Sequence, residues 1–320
     1  MFEYFLLVLG IIFLIKGADF LVKGSSSLAH RLKISSLVIG LTIVSIGTTM
    51  PELFVSIIGS IENAPNIVFG NAIGSNISNI LLILGITAII SNLRIHRITI
   101  WKEMPFSFLG IILLALFANK SLLNFSQNHF ITRTDGIILL FFFGAFLYHI
   151  LDTISKEKKS FKKSIDFKTQ PYLIISLLLL VGIVLLYVGG KITVENAILV
   201  ARNLGLSNFL ISATIIAVGT SLPELATAIT AALKKDPDMA IGNIIGANIL
   251  NIFWVLGLTA AISPILIPSF INLDLIILGA VTLLLFVFMF TGKKSQLTRT
   301  EGIIMVAAYI AYIIFLLIRG

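Results

Sequence analysis

Two six-residue strings, GTTMPE at 47–52 and GTSLPE at 219–224, each place a glutamate in the middle of a long apolar stretch. A carboxylate in hydrocarbon is costly, so Glu52 and Glu224 each require a partner or a task. Thr48 and Thr220 precede them by four residues. On a regular helix that spacing puts hydroxyl and carboxylate on one face, where the two can share a ligand. Pro51 and Pro223 have no N–H to offer the carbonyls of Gly47 and Gly219, and the glycines let the backbone bend there. A helix broken at mid-membrane is tolerated only where it faces protein or a wet cavity, and its bare carbonyls are then ready cation ligands.

Two further strings, GNAIGSNISN at 70–79 and GNIIGANILN at 242–251, add amides and a hydroxyl. Gly70 with Gly74, and Gly242 with Gly246, form GxxxG patterns that allow close helix approach. Asn71, Ser75 and Asn79 make a polar stripe at four-residue spacing, repeated as Asn243, Ala247 and Asn251. Asn79 and Asn251, deepest in their helices, are the expected ligands. Asn71, Asn76, Asn243 and Asn248 are divided between ligation and hydrogen bonds that join helices. The set offers carboxylates, hydroxyls, amide oxygens and carbonyls, with neither sulfur nor imidazole. Hard oxygen donors of this kind suit Ca2+, which takes about six to eight of them, and also Na+. One Ca2+ would neutralise two glutamates, and two or more Na+ would do the same, so competition for shared oxygens is a basis for exchange. A third Na+ would make the exchange electrogenic.

The elements that must position these residues are membrane spans. The chain of 320 residues is 58% hydrophobic and 12% charged, with a mean hydropathy of +1.06. Apolar runs of about 20 residues, enough to cross a hydrocarbon core of roughly 30 Å, recur at 4–29, 36–61, 65–91, 99–118, 134–154, 171–200, 208–233, 238–262, 270–291 and 299–318. The first continues through Gly17, Ala18 and Asp19 without a small-residue cleavage site, which predicts a retained helix and not a signal peptide. Cysteine is absent, which rules out disulfides and thiolate metal sites.

The net charge of +8 lies scattered among loops and does not indicate nucleic-acid binding. The loops after spans 1, 3, 5, 7 and 9 hold most of the Lys and Arg, among them Arg31, Lys33, Arg94, Arg97, Lys102, Lys234 and Lys235. By the positive-inside rule those loops are cytoplasmic and both termini lie outside. The Lys-rich linker 156–170 divides the chain and reads as a solvated positive-inside loop, with contact to anionic lipid headgroups as the alternative.

Sliding the chain against itself by 172 residues matches 20 of the 47 positions between 39–85 and 211–257 without a gap, far above what shared hydrophobicity gives. A second echo, ITRTDGII at 131–138 against LTRTEGII at 297–304, carries the repeat through the fifth span of each half. An odd number of crossings inverts the second copy. The expected fold is therefore all-α and polytopic, with ten transmembrane helices in two inverted five-helix repeats, 1–155 and 171–320. Inverted repeats are a transporter architecture and predict alternating access.

The motifs GTTMPE with GNAIGSN, and GTSLPE with GNIIGAN, resemble the alpha-1 (39–85) and alpha-2 (211–257) repeats of the cation/calcium antiporter superfamily. They look closest to its prokaryotic sodium/calcium exchangers, ten-helix proteins without the large regulatory domain of animal relatives. The resemblance spans the chain. It implies Glu52 and Glu224 as central Ca2+ ligands, oxygens from Thr48 and Thr220, and backbone carbonyls of Ser45 and Ala217 at Na+ sites, completed by Thr49, Ser221, Ser75 and Asn79. Several members have Asp where this chain has Asn251 and Ser where it has Ala247, departures that bear on the number of Na+ bound. Aspartate at the former position accompanies potassium co-transport in some relatives, so Asn251 argues against K+ dependence.

The function expected is secondary antiport of Na+ against Ca2+ in the cell membrane of a prokaryote, with the two ions as substrates, no cofactor and no obligate protein partner. A Ca2+/H+ antiporter, or exchange of another divalent cation, is the alternative, although neither motif looks like the proton-coupled signature. An enzyme is not expected, because no histidine lies near mid-membrane to act as a base. Asp19 and Lys191 hold equivalent repeat positions but are sent to opposite faces, so both are expected at interfaces, unpaired with each other. His149 is expected as a boundary residue of span 5.

Overall fold

The computed structural model describes residues 2–95, 99–120, 129–160, 170–204, 217–268, 271–291 and 296–319. Among them eight helices are long and apolar enough to cross a membrane: Phe2–Leu32, Pro65–Ile90, Thr99–Ala118, Arg133–Lys156, Tyr172–Asn203, Pro237–Ile262, Ile271–Phe290 and Arg299–Ile318. These are spans 1, 3, 4, 5, 6, 8, 9 and 10. Span 2 is a bent pair, Ser36–Thr48 and Met50–Ile61, turned by 44°. Of span 7, expected at 208–233, Ala217–Gly219 and Leu222–Leu233 are helical, and the part before Ala217 lies outside the described residues. The membrane-spanning polytopic fold is thus present, with nine spans counted in full among the described residues.

Polarity is arranged inside out. Ile276, Phe141 and Ile318 are 67%, 71% and 81% exposed, whereas Glu52 and Glu224 are each 1% exposed. An apolar rim around a polar centre is what hydrocarbon solvent dictates. Spans 3 and 8 are the most enclosed, and each ends in a π-helical stretch, Asn79–Leu84 and Asn251–Leu256, followed by an α-helical turn. Short π segments inside α-helices often lie at functional sites.

The sequence repeat is matched by equivalent contacts in the two halves. A Cβ on Gly302 would meet the Gly85 carbonyl at 2.7 Å, and one on Gly136 would meet the Gly257 carbonyl at 2.6 Å, so spans 10 and 5 cross spans 3 and 8 at equivalent glycines. Spans 1 and 6 run antiparallel along a glycine seam: Gly17 faces the Gly182 carbonyl at 2.9 Å, and Gly189 faces the Gly10 carbonyl at the same distance. The GxxxG of span 8 also packs as expected, with a Cβ on Gly242 only 2.4 Å from the Leu37 carbonyl of span 2. The equivalent partners of Gly70 and Gly74 would come from the start of span 7, outside the described residues.

All-α is not quite the outcome. Four two-residue strands, β1 (Leu93–Arg94), β2 (Phe130–Ile131), β3 (Ile265–Leu266) and β4 (Gln296–Leu297), form two antiparallel ladders, β1 with β4 and β2 with β3. Loops 3–4 and 9–10 are joined by one ladder and loops 4–5 and 8–9 by the other, so each ladder ties together loops assigned to one face. Residues too short for a hydrophobic pattern give no strand signal, and the pairing exists only because the halves come together.

Turns repeat too. Asn63 and Lys235 hold left-handed backbone (φ 55° and 61°) before Pro65 and Pro237 open the next helix. The helix of span 5 extends to Ser160, into the expected linker.

Candidate functional site

The break in span 2 falls at Thr49, whose N–H still reaches the Ser45 carbonyl at 2.9 Å, and the chain restarts at Met50 with Pro51 in the first turn. Span 7 breaks at the equivalent Thr220–Ser221, with Pro223 in the first turn of Leu222–Leu233. Proline suits the first turn of a helix because its missing N–H would be unpaired there anyway. Each glutamate therefore sits in the first turn of a restarted helix, at the centre of the protein.

The bend changes one expectation. Thr48 does not simply share a helical face with Glu52. Its hydroxyl donates to Asn243 Oδ1 of span 8 at 3.0 Å and to the Ser45 carbonyl at 3.3 Å. Thr49 donates to Glu224 Oε1 at 3.5 Å, Thr48 also lies beside that carboxylate, and Thr220 stands beside Glu52. The threonines of each half thus serve the glutamate of the other. Four-residue spacing fails to predict this because a helix that kinks between the two positions no longer keeps them on one face.

The remaining expected residues pair across spans 3, 7 and 8. Ser75 and Thr220 hydroxyls lie 3.3 Å apart. Asn79 Nδ2 donates to Asn248 Oδ1 at 2.9 Å, and Asn251 Nδ2 donates to Asn76 Oδ1 at 3.0 Å. Asn76 Nδ2 and Asn248 Nδ2 donate across to each other's backbone carbonyls at 3.2 and 3.4 Å. Asn71 Nδ2 donates to the Glu52 carbonyl and to Ser56 Oγ, both at 2.9 Å. The Ser45 carbonyl is occupied by the two donors already named. Ala217 begins the described part of span 7, two residues before Gly219.

Six buried oxygens among these have no hydrogen-bond partner, Glu52 Oε2, Glu224 Oε2, Asn71 Oδ1, Asn79 Oδ1, Asn251 Oδ1 and Ser221 Oγ, and the Asn243 amide nitrogen is likewise unpaired. Native interiors leave few polar atoms unpaired. Six of these seven unpaired atoms are acceptors or a hydroxyl, drawn from four spans and both halves. The two carboxylates share this buried region, since Thr49, three residues before Glu52, reaches Glu224. Like charges in a low-dielectric interior are tolerated when a cation sits with them, so the donor set fits hard cations as substrate.

Sequence reasoning placed no emphasis on Glu103. It is 1% exposed at the start of span 4 and lies 3.3 Å from His149 Nε2 of span 5. The expected boundary histidine is in fact a link between two helices, and a lone glutamate beside a loop carries no sequence signal for it.

Two helices broken at equivalent places, each opening on a buried glutamate, are the setting in which the comparisons with known proteins fall. The family model described as sodium/calcium exchanger protein matches residues 2–151 and 174–318. The putative antiporter CaxA of Alkalimonas amylolytica is 37% identical, over 95% of both chains. The sodium/calcium exchanger MaX1 of Methanosarcina acetivorans is 31% identical, over 98% of both. A solved structure of the sodium-calcium exchanger NCX_Mj, soaked with 2.5 mM Na+ and 0.1 mM Ca2+, superposes with a TM-score of 0.79 at 32% identity, covering 98% of each chain. The chain belongs to the sodium/calcium exchanger family: a multi-pass membrane transporter, not an enzyme.

Proposed function

We propose that this chain exchanges Na+ for Ca2+ across the cell membrane by alternating access, with Glu52 and Glu224 as the shared ligands. The observation that carries this is the pair of buried carboxylates with unpaired oxygens, accompanied by unpaired buried oxygens on Asn79, Asn251 and Ser221 of the same motifs. Thr48, Thr49, Thr220 and Ser75 ring the same point as further oxygen donors, and Ser45 and Ala217 supply backbone at the two breaks. Ca2+ and Na+ compete because both need the same oxygens, and loading by one releases the other. With a third Na+ the cycle is electrogenic and extrudes Ca2+.

The full architecture belongs to this reading: ten spans, both termini outside, repeats 1–155 and 171–320, and the basic linker 156–170 in the cytoplasm. The strand ladders support it, since each joins two loops that the ten-span arrangement puts on one side.

The test is uptake of radiolabelled Ca2+ into Na+-loaded liposomes on dilution into Na+-free medium. Uptake that requires the outward Na+ gradient and is lost in Glu52→Gln and Glu224→Gln is expected. Uptake driven equally by a pH gradient without Na+ would replace this reading with Ca2+/H+ antiport.

A further inference from the structure

The four amides between spans 3 and 8 form two equivalent couples, and resting on the ligand reading above, we propose that Asn76 and Asn248 are positioning residues that set which end of Asn251 and of Asn79 faces the ion. A carboxamide presents either an oxygen, which binds a cation, or an NH2, which repels it, and the two ends have nearly the same shape. Asn248 Oδ1 takes the Asn79 NH2 at 2.9 Å, and Asn76 Oδ1 takes the Asn251 NH2 at 3.0 Å. With its nitrogen engaged, each amide turns its oxygen the other way, and both oxygens are buried without a donor. The acceptors are themselves fixed, because the Asn76 and Asn248 nitrogens are spent on each other's backbone carbonyl at 3.2 and 3.4 Å. Each half orients the ligand of the other.

A carboxylate has no wrong end, which gives the test. Asn248→Leu in the normal background is expected to raise the Ca2+ and Na+ concentrations for half-maximal exchange about 5- to 10-fold, as one cation-facing oxygen is replaced by NH2. In an Asn79→Asp background the same Asn248→Leu change should add under about 2-fold, since either oxygen serves. Asn76→Leu should behave likewise with Asn251→Asp. Equal losses in both backgrounds would mean a packing role and overturn the proposal. Asn79→Leu separates the ligand reading from this one: unchanged affinities there would remove Asn79 from the site, whatever Asn248 does. Thermal midpoints of all variants in detergent identify any that fail to fold.

The charged ends of spans 1 and 6 carry an independent inference. Lys234, in the turn after span 7, lies 2.5 Å from Asp19 Oδ1 of span 1 and 3.1 Å from its backbone carbonyl, and Lys23 holds the other Asp19 oxygen at 2.8 Å. Ser26 adds a hydrogen bond to Asp236 in the same turn at 3.1 Å. The repeat offset takes Asp19 to Lys191, Lys23 to Glu195 and Lys234 to Glu62, so these three charges have counterparts of opposite sign in the other half, while Asp236 corresponds to Ala64. The i,i+4 pair recurs there, but the arm equivalent to Lys234 is not closed. Lys191 and Glu195 lie 3.9 Å from each other with side chains 61% and 60% exposed, and Glu62 makes no ion pair among the described residues.

We infer that the two clusters are alternating latches: Asp19–Lys234 holds the basic-loop face shut in this conformation, and Lys191–Glu62 closes when the halves exchange conformations and the opposite face shuts. Inverted repeats make the closed geometry of one face the template for the other. The site agrees with this sense, for Asn243 on the basic-loop side is fully buried whereas its counterpart Asn71 is partly exposed.

Sided vesicles test this through the apparent Ca2+ affinity at each face, which scales with the fraction of carriers open there. Lys234→Glu should tighten apparent affinity at the basic-loop face and weaken it at the other by about 2- to 5-fold, the size expected of a partly exposed ion pair. Glu62→Lys should do the opposite. The double change Asp19→Lys with Lys234→Asp should return both values towards normal. Shifts of the same sign from Lys234→Glu and Glu62→Lys, or none from Glu62→Lys, would overturn the paired latch.

Discussion

Asn71 and Asn243 occupy the same place in the two repeats, yet Asn71 donates to its own half, at the Glu52 carbonyl and Ser56, while Asn243 accepts the Thr48 hydroxyl from the other half at 3.0 Å. Part of the difference is written in the sequence, since Ser56 has Ala228 as its counterpart and Ser75 has Ala247. The rest is not, because Thr48 and Thr220 are the same residue in the same motif and meet different partners, Asn243 and the Ser75 hydroxyl. Two nearly identical half-sites with different partners are what alternating access, as proposed above, would require of the two repeats.

The glutamates are where the halves should be equal. Glu52→Gln and Glu224→Gln are each expected to reduce Na+-driven Ca2+ uptake by about 100-fold or more, since removing one member of a buried charge set leaves the rest uncompensated. A large loss from only one of them would break the equivalence.

Packing comes next. Gly242→Leu, at the 2.4 Å approach to Leu37, should lower the thermal midpoint strongly, by about 1–3 kcal/mol of strain or more, while Gly144→Ala on an exposed face of span 5 should not lower it. Equal midpoints would mean that spans 2 and 8 are not in that close contact.

The smallest effects sharpen the comparison at Ser75 and Ala247. Ser75→Ala removes the hydroxyl facing Thr220 and should weaken apparent Na+ affinity by about 5-fold, a typical hydrogen-bond increment. Ala247→Ser should move it less and in the other direction. Reversed signs in Na+ titrations of exchange would exclude a Na+ ligand role for this pair of positions.

Much of this was legible before any coordinates. Glu52 and Glu224 announce themselves because a charge in an apolar run has no bland explanation, and duplication removes the chance that either is incidental. The membrane class follows from length and hydropathy, and the inversion follows from an odd number of spans per repeat. Glu103 was not legible, because a carboxylate beside a loop looks the same whether it is solvated or paired to His149. The four strand residues pairs β1 to β4 were too short to carry a period.

The sequence by itself determined the solvent, the repeat and the oxygen chemistry of the site, since these depend on residue type and on spacing along the chain. Only the tertiary structure decided which partner each group meets: that Thr49 reaches Glu224 across the halves, that Asn248 holds Asn79, and that Lys234 is closed on Asp19 while Lys191 and Glu62 stand apart. The physical reason is the break in the helices. Once span 2 turns by 44° at Thr49, positions four apart no longer share a face, and contacts are set by which helices the fold brings together.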